Sequence, residues 1–128
     1  QKARPNRKVY RLTAAGQEEL DRWLQQEVPE RFSKDHFLTK LFFCGETNDE
    51  VALKHLLEHR ASLLKQLEHM EWARQRYATR PTRRPRLLEY QMLVREYKEA
   101  TLKAGLEVTE RAIAKLTAHA ANSPKVGK

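Results

Sequence analysis

The sequence predicts an all-α fold in which a short strand precedes a linker helix, a short helix and a long antiparallel helical hairpin. Apolar residues recur every three or four positions through most of the 128-residue chain, which is the spacing of one helix face. Glycine and proline are few, with 4 and 5 residues, and the prolines fall between these periodic segments, where they are expected to end helices. No run of about 18 apolar residues occurs, so we expect no membrane-spanning segment.

The first 13 residues differ from the rest of the chain because they carry cations and no acid. Between Lys8 and Thr13, apart from Val9, apolar and polar residues alternate, which predicts a short strand. Thr13 is placed to cap the helix that follows. A basic turn, a strand and a capped helix are typical of the wing of a winged helix-turn-helix domain. We therefore expect residues 1–13 to be a wing remnant, without the helix that would read a DNA sequence.

Two helices are predicted after this segment. The first spans residues 14–27 and ends before Pro29. Its apolar residues at helical spacing are Leu20, Trp23, Leu24 and Val28. The second spans residues 34–44 and ends at Gly45, which is expected in a C′ position. Its apolar residues are Phe37, Leu38, Leu41 and Phe42.

A long helical hairpin is predicted for most of the remaining chain. Thr47 and Glu50 have the spacing of a capping box, which would open a helix that ends at Ala78. The last helix is predicted over residues 86–119, and each long helix would measure about 45 Å. The Pro-flanked turn between them is short enough to require an antiparallel hairpin. We expect a helical domain over residues 14–121 and a disordered tail over residues 122–128.

The apolar faces of this hairpin are broader than one small chain can cover. A second copy would cover the remainder, so the sequence predicts a symmetric dimer through the long helices and the helix after the basic segment. The predicted interface residues are Leu20, Trp23, Leu24, Leu93, Tyr97, Ala104, Val108 and Ala112. The alternative is that the apolar residues form only an intramolecular core.

Several segments resemble PadR-type transcriptional regulators. Residues 7–16, with the sequence RKVYRLTAAG, are similar to the segment that joins the wing to the linker helix in that family. Residues 35–43 resemble the short helix that opens its C-terminal domain, and residues 56–64 and 110–116 resemble parts of its long helices. The resemblance covers residues 5–120, and the long C-terminal domain is similar to the subgroup that contains the phenolic-acid regulators and the virulence activators.

This resemblance implies a cytoplasmic transcription regulator that binds DNA as a homodimer. The wing cations would then contact the DNA backbone and add affinity that is independent of sequence. These cations are Arg4, Arg7, Lys8 and Arg11. The family also implies a pocket for a small aromatic effector, lined by Trp23, Phe37 or Trp72, although each of these is more simply explained as a core residue.

A second basic cluster and the competing function remain open at this point. Arg80, Arg83, Arg84 and Arg86 lie in the predicted hairpin turn, where they either contact phosphates or form a solvated turn. Together with the first segment they account for more than the net charge of +8. The competing hypothesis is a helical interaction module whose basic loops bind acidic protein or lipid.

One motif has the pattern of a zinc enzyme. His55, Glu58 and His59 match H-x-x-E-H, and a helix would place both histidines on one face. A catalytic zinc also needs a third ligand and a substrate cleft, which a slender four-helix chain does not offer. We therefore predict no catalytic residue, no metal site and no cofactor. Cys44, the 1 cysteine of the chain, is predicted to be a buried apolar residue.

Overall fold

The computed structural model describes residues 11–29 and 35–122 of the chain. Within these ranges the fold consists of four α-helices and one short 3-10 turn, with no strand. The helices are α1, Ala14–Gln25; α2, His36–Phe43; α3, Asp49–Ala78; and α4, Pro85–Asn122. The chain divides into two compact units, residues 1–33 with α1 and residues 34–128 with the other helices.

Helix α1 begins at the predicted cap. The Gly16 N–H donates a hydrogen bond of 2.9 Å to Oγ1 of Thr13, which satisfies one of the free donors of the first turn. The helix ends two residues earlier than predicted because Gln26 has an extended backbone. No residue of α1 is buried, so its apolar side chains lie open in this unit.

The predicted wing strand is not present in the described part of the chain. Arg11–Thr13 carry no strand structure, and Lys8–Tyr10 lie outside the described residues. A strand needs a neighbour to complete its ladder of hydrogen bonds, and residues 11–29 and 35–122 contain no second strand. Alternation over six residues was therefore too weak a signal to identify a strand.

Helix α2 is shorter than predicted and ends differently. Asp35 caps it by accepting a hydrogen bond of 3.1 Å from the Leu38 N–H. After α2 the chain continues into a 3-10 turn over Cys44–Glu46. Gly45 has no positive φ, so the predicted left-handed C′ glycine was wrong. The 3-10 turn replaces it because the Thr47 N–H donates to the carbonyl of Cys44 at 3.0 Å.

The start of α3 is shifted by one residue from the predicted capping box. Asn48, not Thr47, is the cap, and its Oδ1 accepts a hydrogen bond of 3.1 Å from the Val51 N–H. The Thr47 hydroxyl instead donates to the carbonyl of Cys44 at 3.0 Å. Thr47 is therefore part of the preceding turn, which leaves Asn48 to cap the helix.

Helices α3 and α4 pack as an antiparallel hairpin, and α2 packs on α3. The small core contains Ala52, Leu56 and Leu63 of α3, with Leu56 only 1% exposed. Thr109 of α4 is buried beside them, and its hydroxyl donates to the carbonyl of Gly105 at 2.7 Å. This intrahelical hydrogen bond satisfies the hydroxyl, so burying it carries little penalty.

Both ends of α4 extend beyond the prediction. Pro85 begins the helix, where a missing N–H is tolerated. The helix continues to Asn122, and Nδ1 of His119 lies 3.5 Å from Oδ2 of Asp49 at the start of α3. Asn122 is helical rather than the first residue of a disordered tail, and residues 123–128 lie outside the described part.

None of the helices in the described ranges is long and apolar enough to cross a membrane.

Candidate dimerisation surface

Helix α4 presents two different faces. Its inner face, which packs towards α3, is buried or half-buried. The residues of this face are Leu102, Leu106, Thr109, Ile113 and Leu116. Their spacing of three and four residues matches the helical repeat. The hairpin therefore satisfies one apolar face of α4 within the chain.

A second row of apolar and small side chains runs along α4, about 130° around the helix from the first. We call this row the outer stripe; it comprises Tyr90, Leu93, Val94, Tyr97, Thr101, Ala104 and Val108. All seven residues are exposed, and Leu93, Tyr97 and Val108 are 56%, 76% and 56% accessible. The hairpin thus leaves a long apolar surface uncovered by the described residues.

The residues predicted for a dimer interface on α4 lie along this stripe. Leu93, Tyr97, Ala104 and Val108 are exposed members of it. Ala112 follows them at the next turn but is half-buried, because it lines a groove between α2, α3 and α4. The hairpin therefore leaves four of the five available to a partner.

The predicted interface residues of α1 are also exposed. Leu20, Trp23 and Leu24 are 36%, 64% and 63% accessible. They lie at positions i, i+3 and i+4 and so share one face of the helix. Within its own unit this face is covered by no described residue.

A groove of 380 Å³ lies among α2, α3 and α4. Phe37 lines it, and its ring stacks on His59 with the centroids 3.7 Å apart and the planes within 8°. The rest of the lining is mostly aliphatic and includes Leu38, Leu41, Leu56, Leu63, Leu102, Val108 and Ala112. A small, largely apolar molecule is the kind of ligand that such a lining favours.

The three aromatic residues predicted to line an effector pocket are not brought together by the described hairpin. Trp72 lies thirteen residues after His59 on α3, or about 20 Å along the helix. Its ring packs beside His69 and under the guanidinium of Arg76, and it is exposed. Trp23 lies on α1, in the other unit. Of Phe37 and Trp72, which belong to the same unit, only Phe37 lines the groove.

The predicted DNA-contacting cations lie at the edge of the described chain or beyond it. Arg4, Arg7 and Lys8 are outside the described residues, whereas Arg11 is exposed in the extended segment before α1. No carboxylate within the described ranges forms an ion pair with Arg11. Its guanidinium is therefore accessible to an anion.

The histidines of the zinc-like motif face different neighbours. Nδ1 of His55 lies 4.0 Å from Oε1 of Glu58, while His59 stacks on Phe37. Among residues 11–29 and 35–122, no three histidine, cysteine, aspartate or glutamate side chains are grouped so as to hold a metal ion. Cys44 is half-buried rather than buried.

A cross-helix ion-pair network was not apparent from the sequence. The guanidinium of Arg74 on α3 bonds the carboxylate of Glu99 on α4, and Nζ of Lys103 lies 2.9 Å from that carboxylate. The hydrogen bonds from Arg74 and then Lys103 lower the pKa of Glu99 from its ordinary value. The hydrogen bond to Glu99 in turn raises the pKa of Arg74, helped by the charge of Glu71. This network links α3 to α4 across the hairpin.

A family model described as virulence activator alpha C-term matches residues 33–117. This match covers more than half of the 128-residue chain and includes α2, α3 and most of α4. It relates the chain to transcription regulation. No curated protein and no solved structure matches the chain.

The family match corrects the assignment to PadR-type regulators, which was wrong. That assignment depended on residues 7–16 and on leucine-rich segments of the long helices. The first lies outside the matched range and includes no strand in its described part. The second is a weak signal because leucine-rich amphipathic helices occur in many families.

Proposed function

Because the chain belongs to the family described as virulence activator alpha C-term, we propose that it is the dimerisation domain of a DNA-binding transcription regulator. The exposed outer stripe of α4 is the observation that carries this proposal. A two-fold dimer would place the stripes of two copies against each other, so that the same residues serve both sides. Its role is to hold two DNA-binding elements at a fixed separation, and it includes no catalytic step.

The strength of such a contact follows from the stripe's composition. Each copy offers five large apolar side chains that are more than half exposed: Tyr90, Leu93, Val94, Tyr97 and Val108. Burying the exposed part of each stabilises by about 1 kcal/mol, so two copies gain roughly 10 kcal/mol. Association costs about 4–15 kcal/mol. The net free energy of association through the stripe alone is therefore near zero. We include the open face of α1, with Leu20, Trp23 and Leu24, as a second contact with the partner copy.

Cysteine cross-linking tests the two-fold contact directly. Ala104 is small and exposed in the outer stripe. Because small residues let two helices approach closely, we place the symmetry axis of the proposed dimer near this residue. Ala104→Cys in a Cys44→Ser background should form a disulfide-linked dimer on mild oxidation. Ser62→Cys, exposed on α3, is the matched control and should stay monomeric on a denaturing gel. Equal cross-linking of both variants would contradict the proposed geometry.

The proposal includes contacts between the N-terminal cations and the DNA backbone. Arg4, Arg7, Lys8 and Arg11 belong to a segment without acids, which favours phosphate contacts of any sequence. The Arg7→Ala/Lys8→Ala variant should bind all duplexes more weakly. The slope of its log affinity against log salt concentration should be shallower by about one unit per lost phosphate contact. Lys40→Ala/Lys54→Ala removes the same charge from exposed positions and should keep the slope. An unchanged slope for Arg7→Ala/Lys8→Ala would contradict a contact between these two residues and the DNA backbone.

The groove beside α2 is the proposed binding site for a small aromatic effector. Its volume and aliphatic lining suit one aromatic ring, and Phe37 offers a face for stacking. Val108 of the outer stripe also lines the groove. A ligand there would touch a residue of the proposed interface, which would couple effector binding to dimerisation. A DNA-binding role also assigns the chain to the cytoplasm.

A helical interaction module that binds acidic partners is the alternative. Exposed arginines at the turn of the hairpin favour it, since such clusters attract carboxylate-rich proteins and anionic lipids. This alternative predicts salt-sensitive binding to anionic vesicles and to polyglutamate at least as tight as to DNA. A regulator instead predicts a clear preference for duplex DNA.

A further inference from the structure

The closed end of the hairpin is strongly basic. We call this region the hairpin tip; it comprises the last turn of α3, the connecting segment 79–84 and the first four turns of α4. Its cations are Arg76, Arg80, Arg83, Arg84, Arg86, Arg95 and Lys98, whereas its acids over the same residues are Glu89 and Glu96. Within the described ranges, none of these seven cations forms an ion pair. Positive charge therefore accumulates here without a neutralising partner among those residues.

The packing of the hairpin brings one cation of the connecting segment and one of α4 to the same aromatic ring. The guanidinium carbon of Arg80 lies 5.2 Å from the centroid of the Tyr77 ring. The guanidinium carbon of Arg95, which comes from α4, lies 5.0 Å from the same centroid. The ring attracts each guanidinium through its π face, but the two like charges repel each other. An anion between or beside them would relieve this repulsion.

A pocket of 590 Å³ opens at the same place. Arg80, Arg95 and Lys98 line it, together with Thr82, Gln91 and the Tyr77 ring. No aspartate or glutamate is part of this lining, all of which belongs to the described residues. The nearby Arg74 behaves differently, since Glu71 and Glu99 already neutralise it. The tip cations are thus available to an external anion, whereas Arg74 is not.

We propose that the hairpin tip binds the phosphate backbone of a nucleic acid, with Arg80, Arg95 and Lys98 gripping one phosphate group. Arginine forks match the two oxygens of a phosphate. The site includes none of the N-terminal cations. It goes beyond the proposed dimerisation role, because a dimer needs no anion at this end of the hairpin.

Two observations favour a nucleic acid over a single phosphate or an acidic protein. Arg83 and Arg84 extend the positive surface beyond the pocket into the connecting segment, and a chain of phosphates can contact both places at once. Exposed aromatic rings lie beside the arginines, as Arg76 lies over Trp72 at 5.3 Å and Arg80 over Tyr77 at 5.2 Å. Interleaved arginine and aromatic side chains are typical of surfaces that bind phosphates and stack bases.

Fluorescence anisotropy with a short labelled DNA duplex tests this site in the whole chain. The site variant is Arg80→Ala/Arg95→Ala/Lys98→Ala, and the charge-matched control is Lys40→Ala/Lys54→Ala/Lys65→Ala, at exposed positions elsewhere. Because each phosphate contact contributes about 0.9 to the salt slope and the three cations hold one phosphate group, the site variant should have a slope shallower by about one unit than the control. Its affinity should also fall at least about tenfold near 0.1 M salt. Equal slopes for the two variants would overturn the proposal.

Two further measurements keep the result interpretable if the site variant folds poorly. Arg80→Lys/Arg95→Lys keeps the charge and should retain most of the slope. In the unmodified chain, the Nε–Hε resonances of Arg80 and Arg95 should shift when duplex DNA is added. Circular dichroism monitors the helix content of each variant. Resonances that do not move at saturating DNA would overturn the proposal without any substitution.

Competitors identify the source of the anion. Inorganic phosphate and pyrophosphate should displace the duplex only weakly, because they offer one or two groups to a surface that spans several cations. Polyglutamate of equal charge should also compete weakly. Full displacement by millimolar pyrophosphate would assign the tip to a small phosphate compound. Displacement by polyglutamate as effective as by unlabelled DNA would assign it to an acidic protein, and either result would overturn the nucleic-acid site.

Discussion

Replacement of Val108 by glutamate places a carboxylate on the outer stripe, at its C-terminal end. Val108 is 56% exposed, so the change should disturb the isolated hairpin little. In a dimer the carboxylate would be buried without a partner and would have to take up a proton. With an ordinary pKa of about 4.3, protonation at pH 7 costs about 3.7 kcal/mol per copy, at about 1.4 kcal/mol per pH unit. A symmetric dimer contains the residue twice, so the cost is roughly 7 kcal/mol, or about a 10⁵-fold loss of affinity.

The same reasoning fixes the pH dependence of this variant. At pH 5 the carboxyl is much closer to its ordinary pKa, and protonation costs only about 1 kcal/mol per copy. The dimer of Val108→Glu should therefore recover partly on acidification. Sedimentation equilibrium at several concentrations, at pH 7 and pH 5, measures both effects.

Glu107→Lys is the matched control for Val108→Glu. Glu107 precedes Val108 and is also exposed, but it is not part of the outer stripe. Its carboxylate lies 3.9 Å from the guanidinium of Arg111. An exposed pair of this kind contributes about 0–1 kcal/mol, so the control should dimerise like the unmodified chain. A Val108→Glu variant that dimerises as tightly as the unmodified chain at pH 7 would show that the stripe is not buried between copies. Dissociation of both variants would also contradict the stripe as the specific contact.

Three further predictions concern the hairpin itself. Leu56→Ala should lower the free energy of unfolding by about 2–4 kcal/mol, because Leu56 fills the core, whereas exposed Leu57→Ala should cost less than about 1 kcal/mol; urea titration followed by circular dichroism compares them. Asn48→Ala should lower the free energy of unfolding by about 1 kcal/mol, and Thr47→Ala should lower it by less, since Asn48 is the cap of α3. Thermal unfolding compares the two variants and would show the reverse order if Thr47 were the cap. The pKa of Glu99 is lowered from 4.5 in the folded chain, so its stabilising contribution is present above that value and is lost as the pH falls through the folded pKa. The free energy of unfolding of Glu99→Gln should therefore differ from that of the unmodified chain near pH 6 and converge with it in strong acid. A difference in this free energy that does not change with pH would contradict the ion-pair network.

Periodicity predicted the helices well because apolar spacing depends only on local geometry. The long segments over α3 and α4 repeat over many turns, so their helical state and the hairpin were predictable. Ends were less predictable, because adjacent residues compete for one role. Thr47 and Asn48 are both good caps, and only the 3-10 turn before them determines that Asn48 is used.

Contacts between helices required the structure. Arg74 and Glu99 are far apart in the sequence, and their pairing depends on the register that the turn imposes on the hairpin. The same register brings Arg95 to Tyr77, so the sequence revealed the arginines of the turn but not the pocket they share with α4. The predicted strand is absent from residues 11–13 for a related reason, since a strand depends on a neighbour that local alternation cannot supply.

Dimerisation through the exposed surfaces is the central claim, and sedimentation of the unmodified chain tests it most directly. The chain should change from monomer to dimer as its concentration rises through the micromolar range, which corresponds to an association free energy of about 8 kcal/mol. A chain that sediments as a monomer at every concentration up to the millimolar range would contradict this account, because the outer stripe and the face of α1 would then remain open to water.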